Sequence, residues 1–519
     1  MTDRAARRTR RRGDRGGSSG RRATAVTAAR PFGQPRLPCP PVELLSDDDI
    51  EAIHGASLRI LAEIGMDFLD AESQSLLAAA GCHVEAGGDR VRFDPEMVTE
   101  TIRTCPTTFT LHARNPAHSL VFGGDHLIFG TVASAPNYLD LDGNRRPGDR
   151  AGFRDLLRLA NAFDIIHLLS GYPVEPADLH PGVRHLHALH DMLTLTDKAV
   201  HSYSLGRQRN RDVLELVRIA RQIDEGTMER EPSVFSVINS SSPLRLDGPM
   251  LQGIIELSSR NQAIVMTPFT LAGAMAPITL AGALAQQNAE ALAGMVFTQV
   301  VRPGSPVVYG GFTSNVDMQS GAPAFGTPEF QRSAIVGGQL ARRYGVPYRS
   351  SNACAANTLD AQAAYESVFS LWGAVMGGVN LILHGAGWME GGLMASPAKM
   401  VLDADLLGMV ASFCEPITVD EASLAVDAIA EVGPGGHFFG IDHTQERFRT
   451  AFFRPMLSDW RNHEAWIEAG RPDAGAKAAE VARTMLAEAT DPPIDDAVAD
   501  ELDDFVGRRV AEGGVPTDY

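Results

Sequence analysis

From Leu127 onward the chain repeats one pattern for some 260 residues: a short apolar run, a loop, then an amphipathic helical stretch. The runs are Leu127–Thr131, Ile165–Ser170, Ala199–Tyr203, Val234–Ile238, Ala263–Thr267, Pro306–Gly310, Pro347–Ser351 and Asn380–His384, starting 29 to 43 residues apart. That spacing is one βα unit, and mostly apolar strands alternating with helices make a parallel sheet covered on both faces. Eight units is the count that closes a (β/α)₈ TIM barrel. A doubly wound open sheet is the alternative, but no GxGxxG follows the first run to support a dinucleotide site. The helical stretches include Phe153–Ala162, Asp212–Ile223, Leu251–Ser259, Leu284–Val301, Pro328–Tyr344 and Asp360–Met376, and a helix from Pro397 to about Cys414 covers the last strand.

What flanks the repeat divides the chain into four expected parts. Residues 1–40 read as a disordered basic tail: the first thirty hold ten arginines against two aspartates and few apolar side chains. Deleting residues 1–30 should leave folding and activity unchanged. Residues 41–120 form an N-terminal α+β unit, in which Ser46-Asp-Asp-Asp49 caps a helix ending at Gly65. Residues 121–415 are the barrel. Residues 416–519 are a helical C-terminal extension whose end, past Asp491, is acidic and peripheral.

The net charge of −18 argues against nucleic acid or an anionic membrane surface as a partner. The cysteines, Cys39, Cys82, Cys105, Cys354 and Cys414, are scattered and odd in number, with no zinc-ligand spacing. No stretch reaches the roughly 20 apolar residues of a membrane helix. A cytoplasmic protein with free thiols and no metal of its own is expected.

In a (β/α)₈ barrel the chemistry sits in the loops after the strands. The longest runs from Tyr309 to Glu329, where Thr327 caps the next helix with Pro328 in its first turn. It offers Phe312, Asn315, Asp317, Met318 and Phe325 together, a mixture suited to an organic cation. The other loops add Tyr172, Tyr203, Phe269, Trp388 and Glu390, and none of the eight loops contains Lys or Arg. Among histidines, His384 ends the eighth strand and faces the mouth; His201 is equally a core or a site residue; His185, His187 and His190 share a helix without a metal-ligand pattern. Cys354 lies at the mouth with no base legible beside it.

Several stretches in one order, Leu195-Thr-Asp-Lys198, Gly321-Ala-Pro-Ala-Phe-Gly-Thr-Pro-Glu329, Leu359-Asp-Ala-Gln-Ala-Ala364, Asn380 through Gly392, Gly433-Pro-Gly-Gly-His437, His443-Thr444, Phe453-Arg-Pro455 and Trp466, make the chain resemble the trimethylamine:corrinoid methyltransferase family, including its non-pyrrolysine, glycine-betaine-type members. The resemblance covers about Leu44 to Gly470 and implies a (β/α)₈ fold. It implies methyl transfer from a methylated amine to the Co(I) of a corrinoid (cobalamin) on a separate corrinoid protein. By position the family's pyrrolysine loop corresponds to about Asn352–Asn357, which here holds standard residues only. A quaternary amine such as glycine betaine, whose nitrogen already leaves as a neutral amine, is therefore the expected substrate rather than trimethylamine. Asp178-Leu-His-Pro-Gly182 is one residue short of a corrinoid-binding Asp-x-His-x-x-Gly, so the cofactor belongs to the partner.

The expected catalytic residues are His384, Glu390 and Asn352. Phe312, Asp317, Tyr203, Trp388, Asn357 and Cys354 are expected to bind substrate, with Gly321, Ala322, Phe325 and Gly391 meeting the cofactor. A homo-oligomer is expected. Two alternatives stay open: a quaternary-amine binding protein without catalysis, and a trimethylamine- or folate-linked barrel methyltransferase.

Overall fold

The structure is a computed structural model and describes residues 31–516. The basic segment 1–30 lies outside the described residues. Seven of the eight runs form one parallel sheet: β1 Ile128–Thr131, β2 Val200–His201, β3 Val234–Ile238, β4 Ala263–Met266, β5 Val307–Gly310, β6 Tyr348–Ser351 and β7 Leu381–Ala386. Their order is β1-β7-β6-β5-β4-β3-β2, so from β2 to β7 each strand neighbours the next in the chain, and β1 lies beside β7. Register is continuous across the row, with Ile238 opposite Met266, Met266 opposite Tyr309, and Tyr309 opposite Tyr348.

The second run, Ile165–Ser170, does not form a strand of this sheet. It makes single parallel bridges instead, from Leu168 to Gly130 on one side and to Ala199 on the other. The cause is His167, whose Nδ1 accepts the Phe129 amide at 3.0 Å, while Phe129 O takes the His167 amide at 2.7 Å. A side chain thus occupies a position that a ladder would give to backbone.

Helices follow the strands: α1 Arg150–Ala162, α2 Pro181–Leu195, α3 Arg207–Arg221, α4 Gly248–Ser259, α5 Leu280–Val301, α6 Pro328–Tyr344, α7 Ala361–Met376 and α8 Pro397–Phe413. Side-chain caps start most of them: Asp149 for α1, Asp247 for α4, Thr327 for α6, Asp360 for α7 and Ser396 for α8. Pro328 occupies the first turn of α6, as expected from Thr327-Pro-Glu329. α5 is buried almost all round, from Ala283 to Gln299. A helix apolar on every side needs cover on every side. The N-terminal helix Asp47–Arg59 provides it, Ser57 Oγ donating to Ala285 O at 2.8 Å.

That N-terminal helix begins with a Ser46/Asp49 capping box and continues through a π turn, Ile60–Ile64, to Gly65. Gly65 has φ +80°, and a Cβ there would meet Val91 O at 2.5 Å. The strand Met66–Phe68 pairs antiparallel with Arg90–Arg92 and parallel with Arg245–Leu246, which belongs to the loop after β3. Within the stretch expected as tail, Phe32 stacks 4.1 Å from His118, and Gln34 exchanges two hydrogen bonds with the Val121 backbone.

At the C-terminal end, the helix Ala474–Glu488 buries Ala478, Val481, Ala482 and Met485. The helix Asp496–Ala511 buries Val498, Leu502, Phe505 and Val506, with Arg509 paired to Asp212 of α3 at 2.9 Å. The segment past Asp491 is therefore docked rather than peripheral, because its acidic residues occupy one face of a helix whose other face is apolar. Among the described residues no helix is long and apolar enough to cross a membrane.

Candidate active site

A cavity of about 400 Å³ opens at the carboxyl ends of the strands. Its wall draws on loops after nearly every strand: Ser134, Ser170, Tyr203, Asn239, Phe269, Phe312, His384 and Trp388, with His201 of β2 and Arg349 of β6 below them. Four of the residues expected from sequence, Tyr203, Phe312, His384 and Trp388, come together here.

The aromatic side is built by mutual packing. Phe312 lies parallel to Trp388 at 5.3 Å and beside Phe269 at 5.3 Å. Phe325 stands edge-on behind Phe312 at 5.1 Å, so it supports the wall and is absent from the lining. Tyr203 hydroxyl pairs with Ser134 Oγ at 2.7 Å and accepts the Tyr172 amide at 3.0 Å, which fixes its ring at the rim.

His384 reaches the cavity through a backbone irregularity. The register of β7 against β1 shifts between Ile382 and Ala386, and His384 has φ +55°. A bulge with a residue in the left-handed region turns a side chain out of the alternation of its strand. The imidazole then sits 3.9 Å from the Trp388 ring with Nδ1 unpartnered. Burial, followed by the nearby Arg349 and His201, holds it well below the usual 6.5, so it is neutral.

His201 is neutral too, pushed by burial to about 3. Its Nε2 accepts the Val237 amide at 3.1 Å. The ring proton therefore resides on Nδ1, a buried donor with no partner among the described residues.

Arg349 is a site residue that the loop sequences do not contain. It is 1% exposed, yet among the described residues no carboxylate lies within ion-pair distance of it. One terminal nitrogen donates to Gly311 O at 3.2 Å, the guanidinium lies 5.3 Å from the Phe312 ring centre, and Nε has no partner. Burial pushes it down to about 9, which leaves it charged at neutral pH. It sits inside β6, two positions before the strand ends at Ser351. The signal in the sequence was an arginine inside the stretch expected as a buried strand, Pro347–Ser351, where a charged side chain is seldom fully buried unless it is paired.

The remaining expected residues lie elsewhere. Asp317 is outside the cavity, its carboxylate accepting from Ser320 Oγ and the Gln319 and Ser320 amides in its own turn. Glu390 is held bidentate by Arg145 at 2.9 and 3.2 Å. Neither carboxylate can face a cation in the cavity, because each is already satisfied locally. Cys354 is fully buried among Ala356 and Ala363, its thiol pushed up to about 11. Asn357 is exposed. Asn352 is buried behind the wall, donating to Gly385 O at 3.0 Å. Gly321 and Ala322 lie near the tip of the long loop, both exposed, and Gly391, at φ +61°, donates its amide to Cys354 O.

Comparison with known proteins identifies the family. The profile of the trimethylamine methyltransferase (MTTB) family matches residues 8–514. A glycine betaine methyltransferase of Desulfitobacterium hafniense (strain Y51) is 35% identical over 92% of this chain and 98% of its own. A trimethylamine methyltransferase MttB of Desulfitobacterium hafniense (strain DSM 10664 / DCB-2) is 29% identical over 91% of this chain and 94% of its own. In fold, the crystal structure of the Methanosarcina barkeri monomethylamine methyltransferase MtmB superposes with a TM-score of 0.50 at 11% identity, covering 91% of this chain and 92% of that one. With a matching profile over nearly the whole chain, the protein belongs to the trimethylamine methyltransferase family and is a methyltransferase.

Proposed function

We propose that the chain takes a methyl group from a betaine, a quaternary amine that also carries a carboxylate, and delivers it to Co(I) of a corrinoid held by a separate protein. The observation that carries this reading is Arg349. A buried, charged guanidinium facing a cavity without an acidic partner is costly unless a ligand supplies the anion. An aromatic wall of Phe312, Trp388, Phe269 and Tyr203 beside it suits a methylated cation. Together they match a zwitterion better than choline or trimethylamine. The 35% identical glycine betaine methyltransferase supports the same substrate class.

The reaction breaks the C–N bond, the electron pair staying on nitrogen, so a neutral tertiary amine leaves and no acid is required. The corrinoid supplies a strong nucleophile. The protein binds the carboxylate through Arg349 with the neutral His201 Nδ1–H as a second donor, and the aromatic wall excludes water and aims one methyl group at the mouth. His384, packed on Trp388, sets the wall's position. A cavity of about 400 Å³ is sized for a small amine and leaves no space for a corrin ring beside it, so the acceptor approaches over the mouth. Ile278, Met318 and Leu393 are exposed apolar residues on mouth loops and offer the corrinoid protein a docking rim. We read the sheet as a closed (β/α)₈ barrel, the two single bridges of Leu168 standing for the eighth strand.

Purified protein, chemically reduced cobalamin and a panel of amines test the proposal. Methylation of the cobalamin is expected with glycine betaine or a related betaine, and not with trimethylamine. Transfer from trimethylamine alone sinks the substrate class. Betaine binding with no transfer, even with a cognate corrinoid protein, identifies a binding protein instead.

A further inference from the structure

Residues 415–455 leave the body of the protein at the end of α8 and return to it at Met456 and Leu457, whose amides donate to Asp405 of α8 at 2.8 and 3.1 Å. Among the described residues, the hydrogen bonds of 416–454 have both ends inside that segment. Its helices, Glu421–Leu424, Val426–Val432 and Asp442–Arg447, are far shorter than the ~12–15 residues at which an isolated helix becomes even marginal in water. Yet the segment carries large apolar side chains into solvent: Ile417 is 89% exposed, Phe439 78% and Phe452 80%. Such an arm holds its shape only against another surface.

A surface of the matching kind lies on the same chain. On α7, Tyr365, Val368, Phe369, Trp372 and Met376 follow at helical spacing as one stripe, and all except the half-buried Trp372 are exposed. Trp372 meets the exposed Phe413 of α8 edge-to-face at 4.9 Å, which extends the stripe onto the neighbouring helix. The outer face of a barrel helix is ordinarily polar.

We propose that the arm of one copy docks on the α7–α8 stripe of a second copy, each copy giving an arm and receiving one in a two-fold dimer. Both unsatisfied surfaces belong to this chain and are rooted beside each other, so two copies cover both at once; this is the isologous arrangement. The size is adequate. Phe453 already rests against Gly408 of α8, but aromatic side chains bury about 150–250 Å² each, so Phe438, Phe439, Phe448, Phe452 and the nearby Trp460 make up much of the roughly 800 Å² per partner of a standard interface. Position separates this contact from the corrinoid protein. α8 starts at Ser396, directly after the mouth loop, and its 17 residues carry the chain about 25 Å away from the mouth before the arm begins.

Native mass spectrometry of the full chain at micromolar concentration should show a dimer or a multiple of one. Phe439→Glu with Phe452→Glu, and separately Tyr365→Glu with Phe369→Glu, should each yield folded monomers whose circular dichroism loses no more than the three short helices of the arm. Mixing the two double variants should recover a heterodimer, because one intact arm still meets one intact stripe. A photoreactive side chain at position 439, in a mixture of ¹⁵N-labelled and unlabelled protein, should cross-link to residues 361–376 of the other isotope. A monomeric wild-type chain, cross-links confined to one isotope, or a dimer that survives both pairs of substitutions would overturn the proposal.

Discussion

Arg349, which the loop sequences do not contain, lines the cavity, whereas Asp317, expected to bind substrate, lies outside it, and each placement is testable. Arg349→Met removes the charge and keeps much of the stem. A hydrogen bond to a charged group is worth about 1.5–3 kcal/mol, so betaine affinity should fall roughly 10- to 100-fold. Circular dichroism should stay unchanged, since the substitution leaves no carboxylate orphaned. Isothermal titration checks it; unaltered betaine affinity would remove Arg349 from the site. Asp317→Asn, by contrast, should leave affinity and turnover within about twofold of wild type, because the carboxylate is spent on Ser320 and two amides at the surface. A marked rise in KM would mean that the loop closes over the substrate and brings Asp317 with it.

α8 anchors the wall of the cavity from behind. Lys399 and Asp403, both fully buried, pair at 2.5 Å, and Lys399 also donates to Ser367 of α7 at 2.8 Å. The other Asp403 oxygen accepts the Gly387 amide at 2.8 Å, which holds the turn between His384 and Trp388. Removing one partner of a buried pair leaves an uncompensated charge and costs about 3–5 kcal/mol. Lys399→Met should therefore lower the midpoint of denaturation strongly, and Lys399→Met with Asp403→Leu should regain most of the loss. Should the double variant be stable but poor in KM, the pair serves to position His384 and Trp388. A double variant as unstable as the single one would show that α8 depends on the pair itself.

The whole molecule should lose stability on acidification before most of its carboxylates titrate. His201 is pushed by burial to about 3, and His54, buried against Tyr344, to about 4. The unfolded chain takes up these protons below about pH 6.5 while the fold does not, so stability is complete above 6.5 and falls as the pH drops towards 4. A tenfold loss of proton affinity on folding is worth about 1.4 kcal/mol, so the two histidines together withdraw several kcal/mol. Melting temperatures from pH 7 to 4.5 check this, and His201→Gln and His54→Gln should each flatten the slope. Parallel curves for all three proteins would assign acid lability elsewhere.

The repeat of apolar runs and amphipathic helices determined the parallel sheet, the order of its strands and the end at which chemistry sits, because hydrophobic period and unit length are local properties of the chain. Caps such as Thr327 and Asp360, and aromatic loop residues such as Phe312 and Trp388, were legible for the same reason. Tertiary structure decided the rest. Whether Asp317 and Glu390 face a ligand depends on Ser320 and Arg145, one a turn away and the other 245 residues distant, and pairing at that range leaves no trace in local pattern. That Arg349 lies below an aromatic wall, that a bulge turns His384 inward, and that His167 interrupts the second expected strand all follow from which strands become neighbours. Residue type states which interactions a side chain can make; only the packed sheet states which of them are already taken.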